Sequence, residues 1–318
     1  MARVPQQDRP AEASTITYTR REGQAIIAID RPKALNSLNF LAFQEIQDAL
    51  RVAERDDSVA VIVITGTGSK AFCAGADLHE HWELCQRPRD YVPWVREFIA
   101  MQTAIVRCGK PTIARLNGLV VGAGNELALA CDLAIAGDDV VIREVGPLVG
   151  SVSGIGVTQW LPLMIGDRRA REVVLLSEDL PAATAHDWGL INKVVPAAEL
   201  DSAVDAAARR LTDTFPESLR FTRALVNQAK EAAWASSAAL AGEWLAIHSG
   251  SVETRRGMGS FIEKRPVDHA ELRERAARDE SPEFPHGPPV GSCPSCGTAD
   301  LPATFRWCGA CGAELAAS

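Results

Sequence analysis

Apolar and polar positions change period several times along the chain. Thr15–Asp30 (TITYTRREGQAIIAID) carries β-branched residues on both sides of Glu22-Gly23, the pattern of a hairpin. From Asn39 to Ala53 the apolar residues recur at helical spacing. Val59–Thr65 (VAVIVIT) is a continuous apolar run stopped by Gly66, which predicts a buried strand. Pro111–Leu116 and Leu133–Ala136 are two more such runs, separated by the Gly-rich GLVVGAGNELALA. Strand, helix, strand and helix in this order predict an α/β unit whose loops gather at one end of a sheet, where ligands usually bind. After Gly166 the pattern becomes helical, in Arg168–Leu176, Ala182–Trp188, Ala197–Phe215, Pro216–Ala235 and Ala238–Gly257. Asp268–Glu280 reads as a short charged helix or a solvated tail. Ser281–Ser292 holds four prolines and two glycines, which predicts a linker without regular structure.

Composition narrows the function classes. The 318 residues include 33 Lys+Arg against 41 Asp+Glu, and the net charge of −8 gives no general attraction to a phosphate backbone or an anionic membrane. An apolar fraction of 47% supplies a large core and argues against disorder. The polar start MARVPQQDRPAEAS lacks the apolar stretch of a secretory signal, and Asn125, Glu126 and Asp132 interrupt the richest apolar region. A cytoplasmic protein that binds neither nucleic acid nor membrane is expected.

Two segments look chemically arranged. Lys70–Leu78 (KAFCAGADL) follows a predicted strand, and Asn117-Gly118 with Gly122–Leu127 (GAGNEL) closes one strand and opens a helix. Small residues let a ligand approach the backbone, and the first amides of a helix are unpaired donors. One N–H from each segment, converging on one point, would form an oxyanion hole for an enolate developing from a thioester. The alternative is that these glycines only permit close packing of strand on helix. Glu126 fits a dipole-stabilising first-turn residue and equally a carboxyl whose burial raises its pKa toward acid–base use. His79 and His81 read as surface helix positions, and Ser151 and Ser153 as turn formers or hydrogen-bond partners of a ligand. Trp82 and Trp160 suit either an acyl pocket or apolar packing.

The eight cysteines divide evenly. Cys73, Cys85, Cys108 and Cys131 stand singly among apolar neighbours and read as reduced core thiols. Cys293-x-x-Cys296 and Cys308-x-x-Cys311, each followed by glycine, are two knuckles whose four thiolates suit a tetrahedral structural Zn²⁺. A module of this size depends on its metal for stability. It resembles a zinc ribbon, but residues 281–318 carry one cation, Arg306, against Glu283, Asp300 and Glu314. Four thiolates on Zn²⁺ add net negative charge, so a protein-interaction or substrate-gating appendage is the better reading than a nucleic-acid module. Phe305 and Trp307 would make the contact or cover the metal.

KAFCAGADL, then NGLVVGAGNELALACDLAIA, GVTQWLPLMIGDRRAREVVLLS, A-x-x-WGLINKVVP and GMGSFIEKRP together resemble the crotonase (enoyl-CoA hydratase/isomerase) superfamily over about residues 14 to 267. The resemblance implies an α/β spiral of ββα units, a helical trimerisation region, a homotrimer or hexamer, and an acyl-CoA thioester as substrate. It places the two oxyanion amides on Ala76 and Ala123 and an acid–base residue on Glu126. Lys33, Ala34, Leu35 and Lys70 would contact CoA, while Ala74, Asp77, Leu78, His79, Gly122, Gly146 and Ser151 would line the substrate site. The family's second acid position falls on Gly146, in the run Glu144-Val145-Gly146. Glu144 lies two residues out of register, on the same face if the segment is a strand, so Glu126 is expected to act alone as the base. VGPLVGSVSGIG and the Tyr91–Gly109 helix resemble the 6-oxocyclohex-1-ene-1-carbonyl-CoA hydrolase branch. Ser153 stands where naphthoate synthase-like relatives carry an aspartate.

The expected organisation is a leader over 1–13, a spiral core over 14–195, a helical oligomerisation region over 196–268, a charged segment and linker over 269–291, and a ribbon over 292–318. The expected activity is water addition to an enoyl-CoA or hydrolysis of a C–C bond in a cyclic oxo-acyl-CoA. A plain enoyl-CoA hydratase/isomerase is one alternative. A non-catalytic acyl-CoA scaffold that recruits a partner through the ribbon is the other.

Overall fold

The computed structural model describes residues 14–85, 88–280, 286, 289–302 and 304–315. The expected leader over 1–13, and residues 281–285 and 287–288 of the expected linker, lie outside them. The predicted hairpin forms as β1 (Ile16–Arg21) and β2 (Gln24–Ile29), paired antiparallel from Ile16–Ile29 to Arg21–Gln24. Both turn residues, Glu22 and Gly23, take positive φ. Helix α1 (Phe40–Arg55) starts at Asn39, whose side chain accepts from the Ala42 N–H at 3.0 Å. Its apolar stripe, including Phe43, Ile46 and Leu50, is buried. The run after it forms β3 (Val61–Gly66), buried at every position because both faces of the sheet are covered.

Two layers of strands then alternate. β4 (Ala71–Cys73), α2 (Leu78–Cys85) and α3 (Pro88–Arg107) precede β5 (Thr112–Leu116), β6 (Leu119–Val121) and α4 (Ala123–Ala130). β7 (Leu133–Gly137), β8 (Val141–Arg143), α5 (Val157–Ile165), α6 (Asp167–Leu176), β9 (Leu180–Pro181), α7 (Ala182–Asp187) and β10 (Lys193–Val195) follow. The long strands form one sheet in the order β1-β2-β3-β5-β7-β10, parallel after the hairpin. The short strands β4, β6, β8 and β9 form a second sheet in that order. The three-residue strands are too short for an apolar period to announce them.

The helical second part is α8 (Leu200–Thr212), α9 (Pro216–Val226), α10 (Gln228–His248), α11 (Val252–Glu263) and α12 (His269–Ala277). Its breaks differ from those the pattern predicts. Helix α10 runs on through residues 236–248, and the chain restarts at Ser251, whose hydroxyl accepts from the Thr254 N–H at 3.2 Å and caps α11. Helix α10 packs on α3 and α5, where Trp234 stacks on Trp160 at 4.6 Å. Trp160 is therefore a core residue. Part of the expected linker has regular structure: β11 (Pro289–Gly291) pairs antiparallel with β12 (Leu301–Pro302) beside the cysteine knuckles. Proline is compatible with such an edge pairing because only its missing donor is lost. Cys73, Cys85, Cys108 and Cys131 are buried free thiols.

Candidate active site

The sheet arrangement brings the two Gly-rich segments side by side. Leu38 and Ala76 form a parallel bridge, with Leu38 N–H donating to Gly75 O at 2.8 Å and Asp77 N–H to Leu38 O at 2.8 Å. This pairing leaves the Ala76 N–H unused. Ala123 is the first residue of α4, so its N–H has no intrahelical acceptor. Neither amide donates to another backbone group among the described residues. Gly75, at φ +99°, carries the first segment against the second, and a Cβ there would sit 3.0 Å from Val121 O and 3.7 Å from Ala123 N. Ala74, Ala76, Leu78, Gly122 and Ala123 all line one cavity with about 660 Å³ of atom-free space, its mouth included.

Glu126, one turn into α4, lines the same cavity and is 6% exposed. Its Oε1 accepts from the Ile155 N–H at 3.1 Å. Glu144 is 1% exposed, lines the cavity too, and accepts from Asn125 Nδ2 at 2.8 Å. β8 ends at Arg143, so strand alternation does not govern Glu144; the backbone turns into a 3₁₀ turn at Gly146–Val149. A Cβ on Gly146 would lie 2.5 Å from Ser153 Oγ and 2.8 Å from Ser153 N, so position 146 holds no side chain. The second carboxylate enters the cavity from two residues earlier.

Burial pushes Glu144 up to about 8, against the Asn125 amide that donates to it. Burial and the Glu144 charge push Glu126 well above the usual carboxylate range, against the Ile155 and Val157 amides. Two carboxylates facing one apolar cavity cannot both ionise cheaply, so once Glu144 has lost its proton Glu126 keeps its own and the pair holds one proton. The Asn125–Glu144 contact spans 19 residues of chain, so no local sequence signal marks the pairing.

The other expected site residues divide. Gly146, Ser151 and Ser153 line the cavity. Asp77 does not; it pairs with Arg31 at 2.7 Å and accepts from His79 N–H at 3.1 Å at the start of α2. His79 is exposed. His81 is buried instead of superficial, because α2 turns that face toward α3, and it lines the cavity with Tyr91, Trp94 and Phe98. Trp82 is not in the cavity wall; Trp94 takes the aromatic role. Lys33, Ala34 and Leu35 form a short 3₁₀ turn and its left-handed cap, tied to the first segment by the Ala74 N–H to Leu35 O bond of 3.0 Å. Lys70 is exposed before β4, outside the cavity wall. Leu245 of α10 and Met258 of α11 complete the wall, contributions that the sequence reading missed because they come from the helical second part.

The C-terminal knuckles repeat one geometry. Gly297 N–H donates to Cys293 O and Gly312 N–H to Cys308 O, both at 2.9 Å, with φ of +73° and +72° at the glycines. The sulfurs of Cys293, Cys296, Cys308 and Cys311 all lie within 4.8 Å of one another. Cys293 Sγ is 3.6 Å from Cys311 Sγ, and Cys296 Sγ is 3.7 Å from Cys308 Sγ. A tetrahedron of Zn–S bonds near 2.3 Å requires sulfurs about 3.8 Å apart. The thiols are free, and the donor set fits a metal.

Two layers of strands, with two unpaired amides and two buried carboxylates lining one cavity, define a crotonase-fold protein. The chain belongs to the enoyl-CoA hydratase/isomerase family, whose model matches residues 19–272. It is similar to an enoyl-CoA hydratase from Mycobacterium avium subsp. paratuberculosis K-10 (26% identity, TM-score 0.71, 80% of this chain and 98% of that one). It is also similar to an enoyl-CoA hydratase from Bacillus anthracis (27%, TM-score 0.66, 80% and 98%). A monofunctional enoyl CoA isomerase from M. smegmatis shares 28% identity, with TM-score 0.59 over 69% and 95%. The cysteine module lies beyond the matched family residues.

Proposed function

We propose that the protein adds water to an enoyl-CoA or hydrolyses a C–C bond of a cyclic oxo-acyl-CoA, with the Ala76 and Ala123 amides as oxyanion hole and Glu126 and Glu144 as an acid–base pair. The burial of two carboxylates against one cavity, beside two unpaired amides, carries this reading. Addition of water to the β-carbon places negative charge on the thioester oxygen, where two fixed N–H donors stabilise it. The ionised member of the pair takes a proton from the water and the protonated member gives one to the α-carbon. The pair then again holds one proton, on the other carboxylate. The lone-base role expected for Glu126 becomes half of this exchange.

The wall of His81, Tyr91, Trp94 and Phe98 favours a compact cyclic acyl group. With a ring ketone in place, the same water attacks the ketone carbon and the adjacent ring bond breaks. Its electrons pass to the α-carbon as the thioester enolate, which the protonated carboxyl quenches. CoA would lie along Lys33–Leu35, with Lys70 near its phosphates. Exposed apolar residues on α9 and α10 support assembly as a trimer or hexamer, and the four-sulfur site supports structural Zn²⁺ with a protein partner at the ribbon.

Purified protein incubated with a linear enoyl-CoA and with a cyclic oxo-enoyl-CoA, followed by mass, tests the reading. Gain of water with ring opening supports the hydrolase, and gain of water on the linear substrate alone supports a plain hydratase. Retained CoA binding without turnover of either would leave a scaffold and overturn the proposal.

A further inference from the structure

The polar end of the acyl cavity is not explained by water addition. His81 is 6% exposed and Tyr91 1%, and both line the cavity with Glu126. Tyr91 Oη lies 3.3 Å from His81 Nε2, and the His81 ring packs against Trp94 with centroids 4.2 Å apart. The buried His81 Nδ1 has no hydrogen-bond partner among the described residues. A buried polar atom left without a partner costs about 1–3 kcal/mol, so such an atom facing a ligand cavity calls for a ligand group. Burial lowers the His81 pKa to about 4, which keeps the ring neutral with one donor and one acceptor nitrogen.

The two tautomers differ in what Nδ1 requires. If Nε2 donates to Tyr91, Nδ1 is a bare acceptor and the free donor is the phenol O–H. If Tyr91 donates to Nε2, Nδ1 carries a free N–H. A phenol is the stronger donor and a neutral imidazole nitrogen the stronger acceptor, which favours the second arrangement, so the ligand atom complementary to Nδ1 is an acceptor oxygen. Trp94, Phe98 and Leu245 supply only apolar surface around it.

We propose that His81, held by Tyr91, is a specificity-determining residue that selects acyl groups bearing a ketone or hydroxyl oxygen remote from the thioester. The selected oxygen is distinct from the ketone of the ring cleavage above, which must sit on the carbon bonded to the α-carbon; the inference rests on the cavity being the acyl site, not on turnover.

Equilibrium binding of two unreactive ligands tests it: cyclohexanecarbonyl-CoA and its para-oxo analogue, titrated calorimetrically into the wild-type protein and into His81→Phe. One hydrogen bond to a buried donor predicts that the wild type binds the oxo analogue about tenfold tighter. The ratio falls to about one in His81→Phe. Equal affinities in the wild type overturn the proposal without recourse to the variant, and an undiminished preference in His81→Phe overturns it as well. Failed turnover with a retained tenfold preference would instead refute the catalytic reading and leave the selection standing.

Discussion

The proposed chemistry rests, among single residues, on two carboxylates and one glycine. Glu126 was legible as a candidate because it follows a Gly-rich helix start. Glu144 was not, because its role depends on the end of β8 at Arg143 and on the Asn125 amide, and neither shows in a linear pattern. Gly146 explains the departure physically, since Ser153 occupies the space where its side chain would be. The raised pKa values make two linked predictions. Activity needs one proton on the pair, and because the Glu144 charge is what raises Glu126, Glu144 ionises first; kcat is expected to rise as pH rises through about 8, where the pair passes from two protons to one. Stability follows the same groups. Between the ordinary carboxyl value of 4.5 and about 8 the unfolded chain ionises Glu144 while the folded chain keeps it protonated. The folded state then binds more protons, and stability is lost as pH rises across that window. Glu144→Gln removes this burden, so its thermal midpoint is expected to exceed that of the wild type at pH 8 and to approach it near pH 4. A midpoint difference independent of pH would contradict the shifted pKa.

Helix α4 is the element on which the site depends. Its first amide is half of the proposed hole, its first turn carries Glu126, and its C-terminal carbonyls are held from behind. Lys230 Nζ, on α10, donates to Leu129 O at 2.7 Å and Cys131 O at 2.8 Å, a cation placed where the helix dipole favours one. Lys230→Ala leaves those carbonyls buried without their donor and is expected to cost about 1–3 kcal/mol in chemical denaturation. Ala123→Pro tests the other end. Proline is tolerated at the first helical position but has no N–H. The variant is expected to fold, by circular dichroism, and to lose about 10²–10³ in kcat. Wild-type kcat in a folded Ala123→Pro would remove that amide from the mechanism. The long strands and helices were legible because their periods are sustained; β4, β6, β8 and β9 were not, because two or three residues carry no period and tertiary pairing alone defines them.

As a whole molecule the chain joins a matched family body to a four-cysteine module outside the match. No helix among the described residues is long and apolar enough to cross a membrane. Helix α9 buries none of its residues, while Phe221, Leu225 and Val226 are 61%, 66% and 72% exposed. Such a face is expected to be covered by further copies of the chain. Leu225→Asp should therefore shift the protein to smaller species in sedimentation, and an unchanged mass would place the interface elsewhere. The four-cysteine cluster was legible from its spacing, since C-x-x-C geometry is local and Gly297 and Gly312 mark both turns. One equivalent of zinc per chain is expected, lost in Cys293→Ser; unchanged metal content in that variant would contradict the site. The central claim is that Glu126 and Glu144 act as one acid–base pair. The most direct measurement is the rate of water addition to an acyl-CoA substrate by Glu144→Gln, with CoA binding as a control for an intact site. The account predicts a fall of about 10²–10⁴ in kcat with binding retained, matching Glu126→Gln. A wild-type rate in Glu144→Gln would contradict it and return Glu126 to acting alone.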